Sequence, residues 1–409
     1  MPAFHPPTDS RFQLFASTAL GVESIAAGEL KSLGVRGRQE IGGVAFSGDL
    51  DRLYQANLWL RTASRVVARL GRFHASTFYE LERRAKKLPW EKFLPASGPM
   101  RLRVTCRKSR LYHSDAVAER VMSAISHSVS RAVEASGDGF SDERGDAEHA
   151  DENDERTKEA GIETEAQLFI VRIVHDQVEI SADSSGELLH RRGYRQEIAK
   201  APLRETLAAA MVLASGWRTG EPLLDPMCGS GTIPIEAALI ARGIAPGAQR
   251  KFQFMRWRAF DEKRWDVILE NARSSTTRAI DTISGSDRDA GAIGAARRNA
   301  ERAGVAETIQ FSENAISDTI AGLEDVGTGW VLTNPPYGVR IGEGEDLRNL
   351  YARLGAELGT KPGWRLGVLT SDTGLVAQTR LSMMSRFDTR NGGIPVSFMV
   401  SEKAGQKRA

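Results

Sequence analysis

A chain of 409 residues with 41% hydrophobic side chains is long enough for two or three domains with ordinary cores. No stretch approaches the ~18 to 20 uninterrupted apolar residues of a membrane span, and residues 1–11 lack the basic patch and apolar run of a signal peptide, so a cytoplasmic protein is expected. Cys106 and Cys228 are the only cysteines and the seven histidines are scattered, which argues against a disulfide framework and against a metal centre. The net charge of +2 conceals an asymmetry. Residues 138–159 hold ten acidic and three basic side chains, which leaves +9 on the rest of the chain, and residues 61–120 alone hold fifteen Lys and Arg against five Asp and Glu. Such a basic region is what a polyphosphate partner requires, because counterion release drives association. A face that serves solubility alone is the alternative.

In chain order, residues 12–46 and 53–73 mix short apolar runs with helical periodicity, and Gly42-Gly43 leads into a short strand at Val44-Ala45-Phe46. Residues 101–107 alternate strictly: Leu102, Val104 and Cys106 share one face, Arg101, Arg103, Thr105 and Arg107 the other, giving a strand with a basic face. A helix is predicted from Ser114, where Val117, Val121, Ile125, Val129 and Val133 recur at four-residue steps and Asp115 suits the positive end of the dipole. Residues 137–165 have no apolar periodicity and read as a solvated surface insertion. Residues 168–174 and 178–180 flank His175-Asp176-Gln177 as a β-hairpin.

After Pro202 the pattern becomes strand, turn and helix in repetition. Helices are expected over 203–217, 232–242 (closed by Gly243) and 290–303 (closed by Gly304). Strands are expected at Leu223-Leu224, up to Ser286, and over 308–311, 330–333, 364–370 and 395–400. This is an α/β fold with a doubly wound, mostly parallel sheet, whose ligands bind at the carboxyl ends of the strands beside the topological switch point.

Two segments fall at such ends. The first is Asp225-Pro226-Met227-Cys228-Gly229-Ser230-Gly231-Thr232, a tight glycine turn that lets backbone N–H groups and a helix N-terminus approach an anion. A dinucleotide fold would add a third glycine and an acidic residue ~20 positions on, and here the next acidic residue at a strand end is Asp287. Asp225 at the mouth of the turn would repel phosphates and attract an ammonium group. S-adenosylmethionine carries both an ammonium for Asp225 and a carboxylate for the turn. Asp287 is then placed for the ribose hydroxyls and Asn314 for the adenine amine; a helix N-cap is the competing role for Asp287.

The second segment is Asn334-Pro335-Pro336-Tyr337. An exocyclic amine on a nucleobase shares its lone pair with the ring and is a poor nucleophile. The Asn334 side-chain oxygen and the Pro335 carbonyl can accept its two N–H bonds and favour a pyramidal nitrogen. Pro335 and Pro336 stiffen the turn, and Tyr337 can stack on an unstacked base. A rigid strand-exit turn is the alternative reading.

These motifs resemble the THUMP-domain family of RNA guanine-N2 methyltransferases. Ile235-Glu236-Ala237-Ala238 after the glycine turn and Gly338 after the Asn-Pro-Pro-Tyr segment also match, as do residues 185–195, 201–210, 42–46 and 57–65. The resemblance implies a ferredoxin-like part over 1–75, a THUMP domain over 76–195 that carries the acidic insertion, and a class I methyltransferase domain over 196–409. It implies transfer to guanine N2, with bacterial large-subunit ribosomal RNA favoured over transfer RNA. The excursion over 243–282 interleaves Arg250, Lys251, Arg256 and Arg258 with Phe252, Phe254 and Trp257, the pattern either of an RNA-contacting loop or of core aromatics. Asn314 departs from the Asp of many relatives, and the acidic insertion departs from the family pattern. Adenine N6 of RNA or DNA would use the same Asn-Pro-Pro-Tyr chemistry. A nicotinamide-dependent oxidoreductase is the rival outside methyl transfer.

Overall fold

The computed structural model describes residues 11–94, 99–128, 166–196, 203–277, 282–323, 327–336 and 344–402. Tyr337, the acidic insertion over 137–165, Val129 and Val133 lie outside them. The chain forms two compact units whose described residues are not contiguous in sequence. One draws on Met1–Thr18, Ala26–Leu189 and Arg250–Glu270, the other on Ala19–Ile25, His190–Gln249 and Asn271–Ala409.

The first unit is built on a seven-stranded sheet of β1 (Phe12–Thr18), β2 (Arg38–Glu40), β3 (Gly43–Gly48), β4 (Ala63–His74), β5 (Met100–Arg107), β6 (Gln167–Val174) and β7 (Gln177–Asp183). Their spatial order is β2-β3-β1-β4-β7-β6-β5, antiparallel except for the parallel pair β5 and β6. The alternation read in residues 101–107 appears as buried Leu102 and Val104 in β5. The hairpin joining β6 to β7 turns on His175 and Asp176, both with positive φ (50° and 60°), the two-residue geometry that matches strand twist. Helix Ser114–Ser128 buries Val117, Val121 and Ile125, as its four-residue spacing requires.

The polar motif at residues 57–65 becomes a buried lock rather than a surface. Asn57 Nδ2 donates to Ser184 Oγ (2.9 Å) and its Oδ1 accepts from Ser185 Oγ (2.7 Å). Arg65 pairs with Asp183 and donates to the Gly186 carbonyl (2.6 Å), tying the start of β4 to the exit of β7. The Asn57 amide and the Arg65 guanidinium thereby gain partners inside the fold that replace lost water.

The aromatics of the excursion are core, and the RNA-loop reading does not hold for them. Phe254 stacks on Tyr54 at 4.6 Å, while Phe252 and Trp265 close the same cluster. Trp257 is buried against Phe93, with its indole N–H donating to Gln167 Oε1 at 2.7 Å. Arg250 donates to the carbonyls of Leu188 and Glu187, both at 2.7 Å.

The second unit holds β8 (Leu223–Asp225), β9 (Ile283–Asp287), β10 (Ile309–Glu313), β11 (Gly329–Thr333), β12 (Trp364–Thr370), β13 (Met383–Asn391) and β14 (Ile394–Ser401). Their order is β10-β9-β8-β11-β12-β14-β13; the first five are parallel and the last two antiparallel. The expected doubly wound, mostly parallel sheet is the one found, with β13 as an unforeseen edge strand. The direction of winding reverses between β8 and β11, which makes the carboxyl ends of those two strands the crevice of the fold. Helices Glu205–Ser215, Thr232–Ala241 and Ala290–Arg302 pack apolar faces on the sheet, burying Leu207, Met211, Ile235 and Ala300 with Leu223, Trp330 and Phe398.

Candidate functional site

The glycine turn leaves β8 at Asp225 and enters the helix Thr232–Ala241 through Gly229 (φ 51°) and Gly231 (φ 84°). Only glycine takes these left-handed conformations without strain. At Gly231 a Cβ would also stand 3.0 Å from Ala296 Cβ and 3.2 Å from the Phe311 ring, so the turn is pressed against the neighbouring layer. Gly231 is the N-cap residue and no side chain caps the helix, so its first turn presents N–H groups and the positive end of its dipole.

The turn is held by hydrogen bonds from three directions. The Cys228 N–H donates to the Ser286 carbonyl (2.9 Å) and the Gly231 N–H to the Cys228 carbonyl (2.8 Å). The Gly229 N–H donates to Asp287 Oδ2 (3.0 Å), and Asn299 Nδ2 donates to the Ser230 carbonyl (3.1 Å). Burial, with Asp225 nearby, pushes the Cys228 thiol up, so it is a packing group and not a nucleophile.

Asp225 is enclosed, with 2% of its surface exposed. Burial pushes its carboxyl up to about 7, against the pull of the Met227 N–H on Oδ1 (3.1 Å), and the negative charge of Asp287 adds to the rise. A buried carboxylate in this state is stabilised by an incoming cation. The donor set therefore suits one group that carries both an ammonium and a carboxylate.

Asp287 ends β9 and uses its two oxygens to join two loops: Oδ2 accepts from Gly229, Oδ1 from the Asp289 N–H at 3.1 Å. The N-cap role weighed for it falls to Asp289, whose Oδ1 accepts from Gly291 (2.7 Å) and Ala292 (3.3 Å). Each Asp287 oxygen keeps a lone pair for a further donor. Asn314 follows β10, exposed, with its N–H donating to the Asp287 carbonyl at 3.2 Å. Asp225, Cys228, Gly229, Ser230, Gly231, Thr232, Asp287 and Asn314 thus sit on three adjacent strand exits.

Asn334 follows β11, the other neighbour of β8; the register sets Trp330 beside Leu223 and Val331 beside Leu224. Its Oδ1 is buried and has no hydrogen-bond partner among the described residues. An orphaned buried acceptor costs about 1–3 kcal/mol and is relieved by a donor that reaches it. Pro335 is buried and Pro336 exposed.

Sequence reasoning missed the support behind the turn. Asn299 is a fully buried amide on a helix face otherwise made of Ile293, Ala296 and Ala300, and that lone polar residue in an apolar stripe was its signal. Glu236, fully buried one turn into the cofactor-side helix, accepts from Tyr194 Oη (3.0 Å) and pairs with Arg192 (3.4 Å). Burial, then the charge of Glu236, drives the Tyr194 hydroxyl well above its ordinary range.

The strand order, the uncapped glycine turn and the acidic strand ends together define a Rossmann-like methyltransferase. A family model described as "RMKL-like, methyltransferase domain" matches residues 192–398, and one described as "RlmL ferredoxin-like domain" matches residues 13–67. The chain belongs to the RMKL-like methyltransferase family. It is 34% identical over 98% of its length to the ribosomal RNA large subunit methyltransferase K/L of Syntrophotalea carbinolica, and it spans 55% of the length of that relative. Among solved structures, a putative methyltransferase complexed with SAH is similar with a TM-score of 0.81 at 28% identity, covering 98% of this chain and 100% of that one. A predicted N6-adenine-specific DNA methylase from Listeria monocytogenes is similar with a TM-score of 0.80 at 34% identity, covering 95% and 96%.

Proposed function

We propose that this protein is an S-adenosylmethionine-dependent RNA methyltransferase that modifies the exocyclic N2 amine of a guanine in large-subunit ribosomal RNA. The carrying observation is the orphaned Asn334 Oδ1 on the strand exit next to Asp225. Bound against the glycine turn, S-adenosylmethionine supplies an electrophilic methyl group. Asp225 takes its ammonium, the first turn of helix Thr232–Ala241 its carboxylate, Asp287 the ribose hydroxyls, and Asn314 the adenine edge. Asn334 and the Pro335 carbonyl accept the two N–H bonds of the target amine, which localises its lone pair toward the methyl group. The proton leaves after transfer, so no separate general base is required. For Tyr337, outside the described residues, the sequence motif alone suggests a stacking role toward the base.

The RNA reading is supported by the ferredoxin-like match, by the name of the Syntrophotalea relative and by the basic residues 61–120. With it go a THUMP domain over 76–195 between a ferredoxin-like part (1–75) and the catalytic domain (196–409), and a cytoplasmic site of action. No described helix is long and apolar enough to cross a membrane, and no described cluster of His, Cys, Asp and Glu suits a metal ion. The Listeria protein's name favours a second reading, methylation of adenine N6. Mass-spectrometric mapping of nucleosides from cells lacking the protein tests both. Loss of one N2-methylguanine from large-subunit rRNA is the expected result; loss of an N6-methyladenine, or of a tRNA modification alone, would overturn the guanine rRNA assignment.

A further inference from the structure

The exposed aromatic–basic surface that the excursion does not supply exists elsewhere in the first unit. Residues 108–113 connect β5 to helix Ser114–Ser128 and carry Lys108, Arg110, Tyr112 and His113, all exposed, with Tyr112 at 69%. The rings of Tyr112 and His113 lie 4.0 Å apart, tilted by 42°. A single exposed tyrosine is ordinary on a protein surface. What sets this one apart is the frame beneath it.

The β6–β7 turn holds the loop by its backbone. The Arg110 N–H donates to Asp176 Oδ1 at 2.7 Å, and the Asp176 N–H donates to Ser109 Oγ at 3.0 Å. Ser109 Oγ donates in turn to the Arg107 carbonyl (2.8 Å), which also accepts from the His175 N–H (3.2 Å). The Ala75 N–H donates to the Asp176 carbonyl at 2.9 Å, fixing the turn from the other side. Lys108 also has positive φ (45°), uncommon for a residue other than glycine, where the chain leaves β5. Leu111, 3% exposed, pins the loop to the core directly before Tyr112, and the His113 carbonyl accepts from Val117 at 3.1 Å where the helix begins.

We propose that this loop is a stacking platform for an unpaired RNA base, with Tyr112 as the ring beneath the base and Lys108 and Arg110 facing the flanking phosphates. The proposal deepens, and rests on, the RNA methyltransferase reading above. An aromatic ring with few rotatable bonds on a fixed backbone loses little entropy when a base lands on it. Every base has a π-face, so the platform reads single-strandedness and not sequence, and its cations supply the salt-dependent part of the affinity. Residues 107–110 carry three cations and no acid, and the one carboxylate inside the frame, that of Asp176, accepts the Arg110 N–H.

The test uses the full-length protein with three variants: Tyr112→Leu, Tyr112→Phe and Arg110→Ala. Affinity is measured by fluorescence anisotropy for a ten-nucleotide oligouridylate and for a duplex RNA of equal charge, and methyl transfer is measured on undermodified large-subunit rRNA. Tyr112→Leu is expected to lose about 5- to 150-fold in affinity for the single strand, the range for one base–aromatic stack, with the duplex unchanged and KM raised at constant kcat. Tyr112→Phe is expected to stay within about twofold of wild type, and Arg110→Ala to lower the slope of log affinity against log salt by about one ion. Unchanged single-strand affinity in Tyr112→Leu, in a wild type that does methylate rRNA, would overturn the platform alone. A Tyr112→Leu defect seen only on ribosomal particles and not on naked RNA would also overturn it, because it would mark a protein contact. Absence of rRNA methylation by the wild type would instead remove the reading on which it rests.

Discussion

Lowering the pH from 7.5 to 6 is predicted to weaken S-adenosylmethionine binding about eightfold through Asp225 alone. Enclosure raises this carboxyl to about 7, and an ammonium-bearing ligand binds the ionised form. Affinity then follows the ionised fraction, which falls about eightfold over that interval for a group with this pKa. Binding at pH 7 should release about half a proton, visible in calorimetry as a heat that scales with the ionisation enthalpy of the buffer. The free protein responds in the opposite sense. A folded pKa raised above the ordinary value near 4 means that the Asp225 contribution to stability is fully present below pH ~4 and is lost as pH rises through about 7, by on the order of 4 kcal/mol at most. Asp225→Asn should therefore bind cofactor weakly with a flat profile over this range while unfolding at higher denaturant than wild type at pH 8. A wild-type affinity independent of pH between 6 and 7.5, or an Asn variant that keeps the wild-type slope, would refute this reasoning.

Asn334→Ala should lower kcat by about 100- to 1,000-fold, the cost of one preorganised hydrogen-bonding group at a reacting centre, and leave calorimetric cofactor affinity within about twofold; single-turnover methyl transfer near the wild-type rate would contradict the acceptor role. Gly231→Ala should cost about 1–3 kcal/mol in urea unfolding, since φ is 84° and the added carbon crowds Ala296 and Phe311. Gly304→Ala, with φ 70° and nothing within 4 Å, should cost only its backbone share, about 1 kcal/mol, and equal losses in the two variants would deny the crowding. Tyr194→Phe should cost about 1–3 kcal/mol, because Glu236 Oε2 has no partner among the described residues and Oε1 would lose its hydroxyl donor; a neutral result in urea denaturation would count against that network as a support.

The strands β8, β11 and β12 were legible because buried parallel strands are short apolar runs, whereas β9 carries Ser284, Gly285 and Ser286 and was marked by its acidic end at Asp287. β13 was not, since its only well-buried side chains are Phe387, Thr389 and Asn391, and a register shift between Ser385 and Phe387 breaks the alternation. The Gly392-Gly393 turn, with φ of 56° and 80°, was nonetheless a readable hairpin signal between it and β14. The excursion shows a different limit. Arginines interleaved with Phe252, Phe254 and Trp257 suit an RNA loop or a core equally, and the choice was made by Tyr54, about two hundred positions upstream. Asp287 and Asp289 lie two residues apart, so a displacement within the error of any boundary estimate exchanges their roles, and only the hydrogen bonds assign the cap to Asp289.

The two halves of the site owe their alignment to one ladder. β8 and β11 are parallel neighbours, so their backbones run about 4.8 Å apart, and extending the pairing of Val331 with Leu224 sets Leu332 beside Asp225. Asn334 stands two residues further along, or roughly 7 Å at the rise of an extended chain. The ladder therefore fixes the backbone from Asp225 across to Thr333, the residue directly before Asn334. Because side chains alternate along a strand, a slip of one residue in this pairing would turn Asn334 to the opposite face while leaving the glycine turn intact. The register of β11 against β8, set by buried Trp330, Val331, Leu223 and Leu224, is thus as much a part of the proposed chemistry as the residues that touch the substrate.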